Sequence, residues 1–129
     1  ILESLNMVSL KDEPAGSLPH GFQRLLEIAI ARAAQPKLIL LDEPVTGMNP
    51  SETMETGRFI KRTRDQDDIT ILLVEHDMRA VMDLSDRIVV LNFGSKIAEG
   101  KPEEIRNDPE VIKAYLGTEL TKEGKKDAT

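Results

Sequence analysis

The chain has 129 residues, a net charge of −6 and no cysteine. It suits one domain burying roughly two-thirds of its unfolded surface, with no disulfide framework and no Cys-based metal site. Its basic residues are scattered, so no electrostatic footprint for nucleic acid is evident. No apolar run approaches about 20 residues and no charged-then-apolar leader opens the chain, so neither a membrane span nor an export signal is expected. Ile1 begins without an initiator Met and in what reads as helix, with Ile1, Leu5 and Val8 on one face; the expectation is a start inside a larger fold. "KDEPAGSLPHG" then gathers Pro14, Gly16, Pro19 and Gly21, predicting a loop over 11–21. "FQRLLEIAIARAA" predicts a helix over 22–34 with Leu25, Ile28, Ala29 and Ala33 on its buried stripe, apolar nearly all round and therefore well covered; Pro36 ends it. Residues 37–41 form a short continuous apolar run, the pattern of a parallel strand buried on both faces.

"LILLDEPVTGMNP" closes that run on two acids and a turn, after which Asn49 as N-cap, Pro50 at the first helical position and Glu52 signal a helix strongly. Residues 69–74 of "DITILLVEH" give a second strand, and Asp77 caps a short helix carrying Met78, Val81 and Met82. "DRIVVLNFGSKIAEG" reads as a hairpin turning on Gly94. Pro102 and Pro109 open two helices, Asp108 caps the second and Gly117 stops it; 118–129, charged and without apolar period, is expected to be a mobile tail. Strands alternating with helices place the chain in the α/β class.

An acid at the C-terminal end of a parallel strand lies in the crevice where α/β folds hold ligands, which removes the apparent cost of ending a buried strand on carboxylates. Asp42 and Glu43, adjacent, point apart, so one can hold a cation through water while the other faces a reacting atom. Solvation of a loop is the bland alternative for an isolated Asp-Glu pair. His76 can equally be a structural hydrogen-bonder, and with His20 as the other histidine a zinc site is not supported. Gly21 suits an ordinary helix start, and a helix N-terminus is also an anion site.

"LILLDEP" resembles the Walker B strand of ATP-binding cassette (ABC) ATPases, "GMNP" their D-loop in the form of branched-chain amino-acid uptake ATPases, "LLVEHD" their H-loop, and "LPHGFQRLLEIAIARA" their signature segment and its helix. "DRIVVLNFGSKIAEGKPEEIRNDPEVIKAYLG" is similar to the end of that subfamily, so the resemblance covers nearly the whole chain. It implies Mg²⁺ held at Asp42 through water, a catalytic base at Glu43, a switch histidine at His76 on the γ-phosphate, a D-loop at Gly47, Met48, Asn49 and Pro50, and signature contacts from Leu18, Gly21 and Gln23 to ATP on an opposite subunit. Against the common L-S-G-G-Q signature, Pro19 replaces Ser, His20 the first Gly and Phe22 the Gln; Pro19 brings neither hydroxyl nor N–H, and Phe22 is given no phosphate role.

A P-loop, G-x-x-x-x-G-K-[ST], does not occur in the sequence, since Gly100-Lys101 runs into Pro102. The resemblance therefore implies a partial P-loop NTPase fold: parallel strands, flanking helices and a C-terminal hairpin, without the N-terminal P-loop half. Residues 1–117 are expected to form the C-terminal part of the ATPase domain, with 1–35 a piece of the helical subdomain and 36–117 carrying Walker B, D-loop, H-loop and the C-terminal segment. It further implies a parent ATP hydrolase at the cytoplasmic face of the membrane, attached through transmembrane permease subunits and dimerising with a second ATPase subunit, and a fragment that is inactive by itself and prone to self-association. Two alternatives stay open: a stand-alone non-catalytic binding or dimerisation module, and a fragment of a DNA-associated ABC ATPase. The second is disfavoured by acidity and by the absence of long coiled-coil heptads. A helicase "DEAD" reading fails because Pro44-Val45 follows Asp42-Glu43.

Overall fold

The computed structural model describes residues 1–116, so the stop expected at Gly117 and the tail 118–129 lie outside the described residues. The chain separates into two units, Ile1–Leu84 and Ser85–Thr129.

The first unit is a βαβ arrangement preceded and followed by helix. Helix α1 spans His20–Ala33, strand β1 Leu38–Asp42, helix α2 Pro50–Asp67, strand β2 Thr70–Val74 and helix α3 Met78–Leu84. Strands β1 and β2 pair in parallel, Leu38 opposite Thr70 and Asp42 opposite Val74, a pairing that needs a crossover and receives it from α2. The start of α2 follows from its capping box: the Asn49 side chain accepts the Glu52 N–H at 3.0 Å and Glu52 accepts the Asn49 N–H at 2.9 Å. Asp77 caps α3 by accepting the N–H groups of Arg79 and Ala80 at 2.9 and 3.1 Å.

Leu25, Ile28 and Ala29 of α1, Ile39 and Leu41 of β1, and Phe59 and Ile60 of α2 form one core cluster. Phe59 is fully buried, worth about 3 kcal/mol by area burial, and the Arg32 guanidinium lies 5.4 Å from its ring centroid while pairing with Asp67. Ile69, just ahead of β2, joins the same core.

Three expectations are corrected here. The opening residues form two short 3₁₀ turns, Glu3–Leu5 and Val8–Leu10, because Asn6 between them is left-handed at φ 55°. Ile1 and Val8 are exposed, and Leu5 and Met7 enter the core instead. Helix α1 starts at His20, after a 3₁₀ turn over Ala15–Ser17, and is covered on one side only: Ile30 is 64% exposed and Ala33 is exposed. Strand β1 is likewise covered on one face, since Leu38 and Leu40 point away from the core that Ile39 and Leu41 face. The sheet has two strands among the described residues, and the core packs on one side of it.

The second unit contains the expected hairpin. Strand β3 (Ile88–Asn92) pairs antiparallel with β4 (Ser95–Gly100), with a bulge after Val90. Phe93 and Gly94, at φ 48° and 78°, form the turn; both central residues left-handed is the geometry whose twist matches a hairpin. Glu99 on β4 takes Lys96 at 2.8 Å and Arg87, and the Lys96 hydrogen bond followed by the Arg87 charge holds its carboxyl below the ordinary range. Helix α4 (Pro102–Arg106) and helix α5 (Pro109–Val111) begin on their prolines as expected. The Asp108 side chain accepts the Glu110 and Val111 N–H groups, and a π turn over Ile112–Leu116 continues α5. Ile105 and Val111 are buried.

Candidate functional site

Strand β1 delivers Asp42 as its last residue, on the same face as Leu38 and Leu40 by the alternation of the strand. The next residue, Glu43, is left-handed at φ 47°, a conformation costing a non-glycine residue about 1–2 kcal/mol. Its N–H donates to the Val74 carbonyl at 2.8 Å, drawing the end of β1 to the end of β2. There the Glu43 Oε1 meets His76 Nδ1 at 3.3 Å, with both side chains about half exposed or more. A pair so open to water contributes under about 1 kcal/mol, so its interest is geometric: a carboxylate and an imidazole converge at the ends of neighbouring parallel strands.

The turn after Glu43 closes on itself. Thr46 N–H donates to the Glu43 carbonyl at 3.3 Å, the Thr46 hydroxyl reaches Glu43 Oε2 at 3.4 Å, and Met48 N–H donates to the Val45 carbonyl at 3.2 Å. Gly47 takes φ 79°, and Asn49 and Pro50 pass directly into the capped start of α2. Met48 is half-buried and its Sδ receives the Thr56 hydroxyl at 3.3 Å.

The first turn of α1 packs against this same stretch. A Cβ on Gly21 would stand 2.8 Å from Glu52 Oε1, and one on Gly47 would stand 3.9 Å from His20 Cε1. Helix α1 has Pro19 at its N-cap and no capping side chain, the condition in which first-turn N–H groups are available to an anion. Leu18 is buried in the core, and its carbonyl accepts Gln23 Nε2 at 2.7 Å while the Gly16 carbonyl lies at 3.4 Å. Leu18 and Gln23 thus shape the loop ahead of α1, and Phe22 packs against the core.

Segments 18–23, 42–50 and 76 are thereby brought to one region of the first unit. The residue type and spacing of Glu75 announce no role, yet its carboxylate accepts the Val45 N–H at 3.1 Å and the His76 N–H at 3.2 Å. Both bonds follow from the fold and no local signal announces them. Among the described residues no group of three His, Cys, Asp or Glu could hold a metal ion by itself. Exposed Asp42 fits a cation that keeps most of its water and takes one carboxylate, the habit of Mg²⁺ with phosphates.

Residues 95–121 match a family model described as "Branched-chain amino acid ATP-binding cassette transporter". Over 116 residues the chain is 47% identical to the high-affinity branched-chain amino acid transport ATP-binding protein BraF of Pseudomonas aeruginosa, covering 90% of this chain and 46% of that protein. It is 49% identical to LivG of Salmonella typhimurium, a protein of the same description, at the same coverage. The fold superposes with a TM-score of 0.76 and 34% identity on a nucleotide-free ATP-binding cassette from an ABC transporter, covering 88% of this chain and 46% of that one. The chain spans about half the length of the proteins it matches.

Proposed function

The chain corresponds to the C-terminal half of an ABC ATPase domain of the branched-chain amino-acid type, and from that premise we propose that the complete protein hydrolyses ATP to drive import of branched-chain amino acids. The observation carrying the reading is the 3.3 Å approach of Glu43 to His76 where β1 and β2 end. Glu43 accepts a proton from, and orients, the attacking water; His76 donates to the transferring phosphoryl group. Asp42 would hold Mg²⁺, and the ion would supply neutralisation of phosphate charge. The first turn of α1, shaped by Leu18, Gly21 and Gln23, faces ATP held by a second ATPase subunit, with Gly47, Met48, Asn49 and Pro50 alongside as D-loop.

No described helix is long and apolar enough to cross a membrane. Attachment to the cytoplasmic face through transmembrane permease subunits accords with that. Lacking a P-loop sequence, the 129 residues by themselves do not hydrolyse ATP. The test is to join the chain to a P-loop-bearing N-terminal half and compare it with the Glu43→Gln variant. Turnover should fall about 10²–10⁴-fold while ATP binding is retained. Wild-type turnover in the variant would overturn the role of Glu43 and the reading built on it.

A further inference from the structure

We propose that Glu75 is a positioning residue whose carboxylate ties the loop following Glu43 to the segment carrying His76, holding the two reacting side chains in register. The functional part rests on the ATPase reading above; the tie itself rests on geometry.

The β1–β2 ladder fixes the strand ends only as far as the Glu43 N–H bond to Val74. Beyond it the chain turns, and the bonds Thr46 to Glu43 and Met48 to Val45 stabilise the turn internally without fixing it to β2 or His76. Pro44 has no N–H to offer, so the first backbone donor after Glu43 is that of Val45. Val45 is 5% exposed, so its N–H needs a protein partner, and that partner is Glu75 Oε1 at 3.1 Å. The other oxygen of the same carboxylate takes the His76 N–H at 3.2 Å. One rigid, planar group therefore bonds both loops, one oxygen to each. The Glu43 and His76 side chains, left exposed, meet each other in front of it.

Chemistry makes the tie specific to a carboxylate. A Gln at this position offers one acceptor oxygen, and its NH₂ would confront an N–H, so it can serve one loop and not both. Asp keeps two acceptors on a shorter stem.

The test uses the intact ATPase, the chain joined to a P-loop-bearing half, as wild type, Glu75→Gln, Glu75→Asp and Glu43→Gln. In Glu75→Gln, amide exchange at Val45 or His76 should quicken about 10-fold or more while amides around Phe59 stay protected. In the same variant kcat should fall about 10-fold or more with KM for ATP changed less than about two-fold, and Glu75→Asp should recover part of kcat. Unchanged exchange at both amides, or quickened exchange with unchanged kcat, overturns the positioning role. Loss of protection at Phe59 in Glu75→Gln moves the decision to Glu75→Asp, where wild-type exchange with kcat no better than that of Glu75→Gln also overturns it. The ATPase reading fails separately, by Glu43→Gln keeping wild-type turnover.

Discussion

At Thr63 the described residues leave a hydroxyl with nothing to bond. The residue is fully buried within α2 and its Oγ1 has no hydrogen-bond partner among the described residues. A buried polar group without a partner forfeits its hydration, so replacing the hydroxyl by a methyl of the same shape should help. Thr63→Val is expected to raise unfolding stability by about 1 kcal/mol, since the two residues are close in helix propensity; a lower urea midpoint than wild type would count against it. Nothing local in "FIKRTRDQ" marks this threonine as buried, because its neighbours are charged and its burial depends on what packs over α2. Gly21 was legible in kind and not in cause. Its place at a helix start could be read from Pro19 and the apolar run that follows, but the side chain a Cβ there would press against is that of Glu52, far away in sequence. Asp42, Glu43 and His76 were legible as strand-end groups. Glu75 was not, because a side chain accepting two backbone N–H groups leaves no mark on spacing or composition.

At the scale of elements, α2 carries its own instructions. Asn49, Pro50 and Glu52 form the capping box the sequence announces, since all its bonds are local. Asn49→Ala removes the acceptor of the Glu52 N–H and should lower stability by about 1 kcal/mol, with faster exchange confined to the first turn of α2. A loss spread evenly over the unit would mean that the cap does not act locally. The opening residues fail the same logic: an apolar spacing over so few residues cannot nucleate a helix alone, and left-handed Asn6 divides it. For β1 the apolar run showed that both faces are oily but could not show which is covered. Burial of Ile39 and Leu41 comes from α1 and α2, and the described residues place nothing over Leu38 and Leu40.

That uncovered face governs the behaviour of the chain as a whole. Leu38 and Leu40 on β1 stand in register with Thr70 and Leu72 on β2, and Val74 lies opposite Asp42, so one apolar surface runs up to the Asp42 carboxylate. Exposed apolar surface on a short sheet with open edges favours association. Expressed alone, the 129 residues should therefore sediment as concentration-dependent oligomers, and Leu40→Lys with Leu72→Lys should shift them toward monomer at little cost in stability, because both positions face water. A wild-type chain that stays monomeric at high concentration would refute this. Joined to a P-loop-bearing half, the same pair of lysines should have the opposite effect. If the face receives the remainder of the ATPase domain, each leucine becomes core, and burying two unpaired ammonium groups there should cost several kcal/mol and abolish ATP hydrolysis. One pair of substitutions, helpful in the half and ruinous in the whole, separates a face made for water from a face made for the rest of the fold.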